Sequence, residues 1–225
     1  MKEAHAQQVA DKLIQIAIDG PAGAGKTSVA KILSKRLEIT NLDTGAMYRS
    51  LAYRMIKKRM TIEDSEEMEK ELAAFSIVYR DGRVFTDNED VTEKIRTEEV
   101  TKLASPVSAI GKVRERMVKL QQVMAEAQSV VMEGRDIGTV VLPDAQCKIY
   151  LDAELDARVD RRLKEMPFCK NREELKNDMS QRDERDKSRQ VAPLKIADDA
   201  LYIDTTHMTL EEVVNRIIRR VKGEE

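Results

Sequence analysis

The run Gly20-Pro21-Ala22-Gly23-Ala24-Gly25-Lys26-Thr27 has the residue types and spacing to hold a polyphosphate. Its glycines let the backbone turn tightly, so that successive N–H groups point inward at phosphate oxygens. A helix beginning near Lys26 adds the positive end of its dipole to that nest. The Lys26 ammonium can bridge outer phosphates, and the Thr27 hydroxyl can complete the coordination of a magnesium ion. A second carboxylate is then expected beside the ion, at the end of another strand. Glu133, after Val130-Val131-Met132, is the leading candidate, acting through a water; Asp19 and Asp43 also lie at strand ends. Behind Glu133, Gly134 lets the backbone pass close to a ligand and Arg135 offers a planar fork suited to phosphate.

Arginines give a second signal. Arg158, Arg161 and Arg162 fall on one charged helix, and Arg182, Arg185 and Arg189 recur among Asp183, Glu184 and Asp186. Taken singly, each reads equally well as part of a solvated, ion-paired surface. As a group beside a phosphate loop they suggest a lid that closes over a triphosphate and excludes water. No histidine or cysteine is required, because phosphoryl transfer rests on positioning and charge neutralisation.

The elements that must position these residues follow from apolar spacing. Leu13–Asp19 is apolar on both faces, as a central parallel strand should be. The helix after the phosphate loop runs to about Arg36, and a short strand, Leu37–Asp43, leads into a helix carrying Tyr48, Leu51, Ala52, Met55 and Ile56 on one side. Residues 61–70 are rich in Glu and read as an exposed helix. Phe75–Arg80 and Arg83–Thr86 flank a turn-competent Asp81-Gly82, with a further short strand within Asn88–Thr92. That antiparallel unit does not fit the main alternation, so residues 61–103 read as an insert. Helical spacing from Ser105 to Ala127 reads as one helix. The strands Ser129–Glu133, Cys147–Asp152 and Ala200–Asp204 follow. Between the last two lie a basic helix broken at Met166-Pro167 and a charged helix over Arg172–Arg189; the amphipathic helix Leu210–Val221 closes the chain. Five apolar strands alternating with helices predict a three-layer α/β domain with a parallel sheet.

Composition narrows the classes. The chain has 225 residues, with 39 Lys and Arg against 41 Asp and Glu, which argues against a protein governed by nonspecific nucleic-acid binding. No apolar run approaches about 18 residues, so no spanning helix and no membrane partner are expected. Residues 1–12 are polar, without a secretory core, and read as a frayed helix with no assigned function. Cys147 and Cys169 are too far apart for a metal knuckle, and His5 and His207 leave little room for a histidine metal site. The expectation is a cytoplasmic, magnesium-dependent protein.

The segments IAIDGPAGAGKTSVAK, LDTGAMYR, NEDVT-x-x-IRTEEV, EGRDIGTVV-x-PDA and RDERDKSRQVAPL, in this order and spacing, resemble those of the bacterial cytidylate kinase family, from about Ile14 onward. The resemblance implies a P-loop nucleoside-monophosphate kinase fold with a five-stranded parallel sheet. Residues 1–60 and 104–225 would form the core, with a helical lid within about 154–190, and residues 61–103 a small antiparallel β/α monophosphate-binding domain. It implies transfer of a phosphoryl group from MgATP to CMP or dCMP, by a monomer. Gly20, Pro21, Ala22, Gly23, Ala24, Gly25, Lys26, Thr27 and Ser28 would hold ATP. Thr44, Tyr48, Arg49 and Arg135 would surround the acceptor phosphate, and Ser105, Arg114 and Asp136 would read cytosine. Arg182, Asp186 and Arg189 would meet the sugar and the polar edge of the nucleotide, while Arg158 and Arg162 would face the transferring group. Lys26, Arg135, Arg158 and Arg162 are then the catalytic set, with Thr27 and Glu133 serving Mg²⁺. Where many monophosphate kinases have Gly-Thr after the loop lysine, this chain has Thr27-Ser28.

Other readings stay open on the residues alone: a kinase for a different monophosphate such as UMP, an NTPase with no acceptor, or a non-catalytic phosphate-binding module. A GTP switch is disfavoured, since Thr101-Lys102-Leu103-Ala104 lacks the Asp of a guanine reader.

Overall fold

A computed structural model describes residues 13–80, 82–165 and 171–224. The expected frayed helix over 1–12, Asp81, Cys169 and the break at Met166-Pro167 lie outside the described residues. The chain runs β1 (Gln15–Asp19), α1 (Lys26–Leu37), β2 (Thr40–Asp43), α2 (Thr44–Lys58), α3 (Glu66–Ala74), β3 (Val78–Arg80), β4 (Arg83–Thr86) and β5 (Glu89–Asp90). After a 3₁₀ turn at Lys94–Arg96 come α4 (Glu98–Val107), α5 (Gly111–Glu126) and β6 (Val130–Glu133). A π-helical turn at Ile137–Val141 precedes β7 (Cys147–Asp152), α6 (Leu155–Glu165), α7 (Arg172–Ser188), β8 (Leu201–Asp204) and α8 (Leu210–Val221).

β1 occupies the centre of the sheet because it is apolar throughout. Ile16, Ala17 and Ile18 are fully buried, and the five parallel strands order as β2-β6-β1-β7-β8. One face packs against α1 and α8 through Val29, Leu33, Val213 and Ile217. The other is covered by Ala125, Ile137 and Val141 over Val130 and Met132. With helices on both faces, this is the α/β architecture expected from the alternation.

β3, β4 and β5 form a separate antiparallel sheet. Its second turn is built from Asp87 and Asn88, at φ 51° and 61°, the left-handed pair of residues that a tight hairpin requires. Phe75, Ile77, Val84, Val91 and Ile95 share one core with Met47, Leu51 and Met55 of α2 and with Val113 and Met117 of α5. The segment after β2 is thus bonded to the main body through a common apolar cluster rather than tethered by a linker.

Two helical expectations change. The helix read over residues 61–70 is α3, shifted to Glu66–Ala74, because Ser65 caps it by accepting the Met68 N–H at 3.2 Å, with Glu66, Glu67 and Glu69 in the first turn. The single helix read over Ser105–Ala127 is two. Pro106 has no N–H to offer the last turn of α4, Ser108 turns its hydroxyl back onto the Ser105 carbonyl at 2.7 Å, and Ile110 is extended ahead of Gly111. Val107, Val113 and Met117 are all fully buried on both sides of the break, so apolar spacing runs straight across it. The 103/104 boundary of the expected insert falls inside α4.

The turn out of β1 tolerates no side chain. Gly20 sits at φ +143°, and a Cβ there would lie 1.9 Å from the Leu151 carbonyl oxygen. Gly20→Ala is expected to lower stability by about 2–4 kcal/mol through backbone strain and displacement of β7. Chemical denaturation measures this, and a loss below about 0.5 kcal/mol would show that the turn relaxes freely.

Candidate active site

Parallel strands in register bring the chemistry to one edge. Asp43 pairs across from Glu133 and Ile18 pairs with Glu133, so the ends of β2, β6 and β1 present Asp43, Glu133 and Asp19 side by side. This is the carboxyl edge of the sheet, where α/β proteins bind ligands.

Gly20 to Ser28 form one turn from β1 into α1, with Gly23 and Gly25 at φ 77° and 96°. Lys26 is buried, and its ammonium donates to the carbonyls of Gly20 at 2.8 Å and Pro21 at 2.6 Å. Burial first, and Arg135 next, push its pKa down, while Glu133 pulls it up. The loop is braced from outside: Arg158 donates to the Ala22 carbonyl at 3.0 Å, and the Thr205 hydroxyl to that of Ala24 at 3.2 Å.

Of the three strand-end carboxylates, two are committed elsewhere. Asp19 accepts the N–H groups of Ile137 and Gly138 at 2.8 and 2.7 Å, and burial pushes its pKa up to about 6 despite them. Asp43 caps α2 through the Ala46 N–H at 3.0 Å and pairs with Arg49 at 2.8 Å. Glu133 is buried; Oε2 accepts from the Thr27 hydroxyl at 2.9 Å, and Oε1 has no partner. Burial first, then Asp43, push the Glu133 pKa up. Among the described residues no cluster of three or more His, Cys, Asp or Glu could cage a metal. One hydroxyl and one carboxylate with an open oxygen suit Mg²⁺, a hard cation that keeps its waters and takes its remaining ligands from phosphate.

A cleft beside the loop gathers most of the other sequence candidates. α2 contributes Thr44, Tyr48 and Arg49, the turn after β6 Arg135 and Asp136, α5 Arg114, and the end of the chain's charged helix Arg182, Asp186 and Arg189. Thr44 is fixed by donating to the Glu133 carbonyl at 2.7 Å. Arg114 and Asp136 form a buried ion pair, with the Arg114 guanidinium 5.8 Å from the Tyr48 ring centroid. Arg189 also reaches Asp136, at 3.4 Å, and Arg135 donates to Asp186 at 2.8 Å. Arg182 carries an unpartnered Nε, and burial first, then Arg135, bring its pKa down to about 10. Ser105 is not among the residues that line the cleft. Thr101 and Ala104 of α4, with Ser108 just past its end, line the cleft at that point.

The basic helix divides. Arg158 is buried against the loop, bonded to the Ala153 and Ala22 carbonyls and paired with Asp183. Arg162 is partly exposed and pairs with Glu165 on its own helix, at 2.9 Å. Arg161 bonds Thr205 and so ties α6 to the end of β8, and Arg185 stays on the solvent side. Asp183, which the sequence reading left among interleaved charges, also accepts from the Ala22 N–H at 3.4 Å. Its signal was its spacing, three residues before Asp186 and hence on the same helical face.

The family model for cytidylate kinase matches residues 16–223. A cytidylate kinase of Bacillus cereus (strain ATCC 10987 / NRS 248) is 47% identical over 220 residues, covering 95% of this chain and 98% of that protein. A cytidylate kinase of Thermotoga neapolitana is 46% identical over 212 residues, covering 92% and 96%. Among solved structures, an uncharacterized protein from Eubacterium ventriosum ATCC 27560 superposes with a TM-score of 0.54 at 14% identity, over 93% of this chain and 99% of that one, a likeness of fold alone. Among the described residues no helix is long and apolar enough to cross a membrane.

Arg182, crowded by Arg135 and with a buried Nε that has no partner, is a cation that a bound polyanion relieves. Pyrophosphate is expected to raise the unfolding midpoint, by about 2.7 kcal/mol of stabilisation at 100 times its dissociation constant. Arg182→Gln should weaken that binding without lowering the midpoint of the free protein. Identical pyrophosphate shifts in the two proteins would remove Arg182 from the anion site.

Proposed function

The chain belongs to the cytidylate kinase family, and from that premise we propose how its cleft moves the γ-phosphoryl group of ATP to CMP or dCMP. The observation that carries the reading is proximity. Glu133 joins the two sides, its carboxylate accepting from Thr27 of the phosphate loop at 2.9 Å and its carbonyl from Thr44 of the cleft at 2.7 Å.

The triphosphate of ATP takes the N–H nest of Gly20–Ser28, and Lys26 exchanges the Gly20 and Pro21 carbonyls for phosphate oxygens. Thr27 and Glu133, the latter through a water, would hold Mg²⁺, which supplies charge neutralisation to the donor phosphates when bound. Arg49, Arg135 and Arg182 receive the acceptor phosphate, with Thr44 and Tyr48 beside it. An oxygen of that phosphate attacks the γ-phosphoryl group in line, through a loose transition state whose charge Lys26, Arg158 and Arg162 offset. The acceptor is already ionised at neutral pH, so no general base is needed. Residues 61–103 serve as the monophosphate-binding insert, and α6 with α7 as the lid that excludes water.

Base choice follows from donors and acceptors. Cytosine presents an amino donor where uracil presents a carbonyl, next to a ring acceptor. A carboxylate such as Asp136 accepts from the first and repels the second, while Arg114 donates to the ring acceptors. A site built to hydrogen-bond one pattern rejects the other because its buried polar groups are left unpaired. Asp186 and Arg189 hold the sugar side.

Lys26→Ala is expected to reduce kcat by at least about 10²–10³-fold with an unchanged circular dichroism spectrum; near-normal turnover would end the phosphate-loop mechanism. ADP release measured with CMP, dCMP, UMP, AMP, GMP and no acceptor should be confined to CMP and dCMP. Strong turnover with UMP would remove the Arg114–Asp136 readout, and turnover without acceptor would make the chain an NTPase. Asp186→Ala and Arg189→Ala should raise KM for CMP by about 10-fold or more while KM for ATP moves little; equal losses for both substrates would count against the sugar-side assignment.

A further inference from the structure

Asp19 closes β1, is 4% exposed, and has a use that the nucleotide contacts do not account for. Each of its carboxylate oxygens accepts one main-chain N–H from the same turn, Ile137 on Oδ1 at 2.8 Å and Gly138 on Oδ2 at 2.7 Å. Both groups belong to the opening of the π-helical turn Ile137–Val141, where a helix has no carbonyl of its own to serve its first N–H groups. Gly138 is pressed into place, since a Cβ there would lie 3.3 Å from the Lys148 stem and 3.5 Å from Asp19 Oδ2.

What the grip joins is the informative part. The residue after Asp19 is Gly20, the head of the phosphate loop. The residues before Ile137 are Arg135 and Asp136, which line the cleft and hold Asp186, Arg114 and Arg189. Gly134, one step earlier, leaves no room for a side chain: a Cβ would lie 2.7 Å from the Ile137 side chain and 2.8 Å from the Thr44 hydroxyl. A buried carboxylate is a poor choice for packing alone, because an apolar side chain of similar size avoids the desolvation penalty. Two aligned amide bonds from a single carboxylate fix distance and angle together.

We propose that Asp19 is a positioning residue for phosphoryl transfer, its carboxylate locking the Gly134–Gly138 loop to the head of the phosphate loop and so setting Arg135 and Asp136 at working distance from the donor. The proposal rests on the reading of the cleft as the CMP side of a kinase.

The test is Asp19→Asn in the full chain. Asn is nearly isosteric but offers one acceptor oxygen and one NH₂, so one of the two amides then faces a donor. At saturating ATP, kcat/KM for CMP should fall about 10–100-fold, with the larger part in kcat, as a misplaced reacting group demands. The dissociation constant for ATP should change less than about 3-fold on the same reasoning. Hydrogen exchange should quicken in the 134–141 peptide and not elsewhere. A folded Asn variant with wild-type kcat/KM overturns the proposal, as does an equal loss of ATP affinity and CMP use, which is the mark of a purely structural role. If the Asn variant does not fold, Asp19→Ser, smaller and uncharged, is read by the same split between substrates. A wild-type protein that fails to phosphorylate CMP would sink the kinase reading instead, and the exchange of the 134–141 amides would then decide the positioning alone.

Discussion

A cleft meant for two phosphorylated ligands must concentrate cations, and concentrated cations repel. Two unit charges at 4 Å interact by about 4 kcal/mol at an effective dielectric of 20, so a handful of unpaired arginines would offset much of a domain's stability. The fold answers with carboxylates placed in the cleft and beside it. Asp43 takes Arg49, Asp136 takes Arg114 and Arg189, Asp186 takes Arg135, and Asp183 takes Arg158. Burial opposes the charge of Asp186, yet Arg135 and Arg182 outweigh it and hold its pKa below the usual carboxylate range. These pairs are modest stabilisers, since desolvation cancels most of their attraction. Their consequence is geometric: each guanidinium is already aimed, and most of its hydration already given up, when a phosphate arrives. Two of the carboxylates, Asp183 and Asp186, come from α7, so the balance of charge in the cleft is linked to where that helix lies.

The second constraint is that the loops carrying the site are held in place by contacts within the protein itself. The phosphate loop hangs from Arg158 and Thr205, and Thr205 is itself tied to Arg161 and to the Asp152 carbonyl at 3.0 Å. The acceptor-side loop hangs from Asp19 and from the packing of Gly134 against Ile137 and Thr44. Because β1 and β6 are neighbours in register, Asp19 and Gly134 stand at the ends of adjacent strands of a sheet whose interior residues are fully buried. Rigid strands, rather than the loops themselves, therefore set the spacing of the site, which is what a reaction that depends on alignment requires.

How far this could be read from the residues depends on the range of the physics involved. The phosphate loop is a local object: eight consecutive positions, one dipole and one turn, so its place was visible in order along the chain. The central strand was equally plain, because an all-apolar stretch has few other uses. Among the three strand-end carboxylates the Gly-Arg-Asp after it favours Glu133, but nothing in the sequence shows what occupies Asp19 and Asp43. Their partners lie more than a hundred residues away for Asp19 and three and six residues on for Asp43. The break between α4 and α5 was hidden because both helices bury one common face, so that apolar spacing, the signal being read, is indifferent to it. Thr101, Ala104 and Ser108 line the cleft wall and Ser105 does not, a difference that no motif records. Arg158 and Arg162 show the limit most sharply. They are four residues apart on one helix and of one type, yet one is buried on the phosphate loop and the other is partly exposed beside Glu165. Four residues make slightly more than one turn, so the two side chains share a face and differ only in height above the sheet. That height is set by how α6 docks on the ends of β7 and β8, a property of the assembled layers and of no single segment.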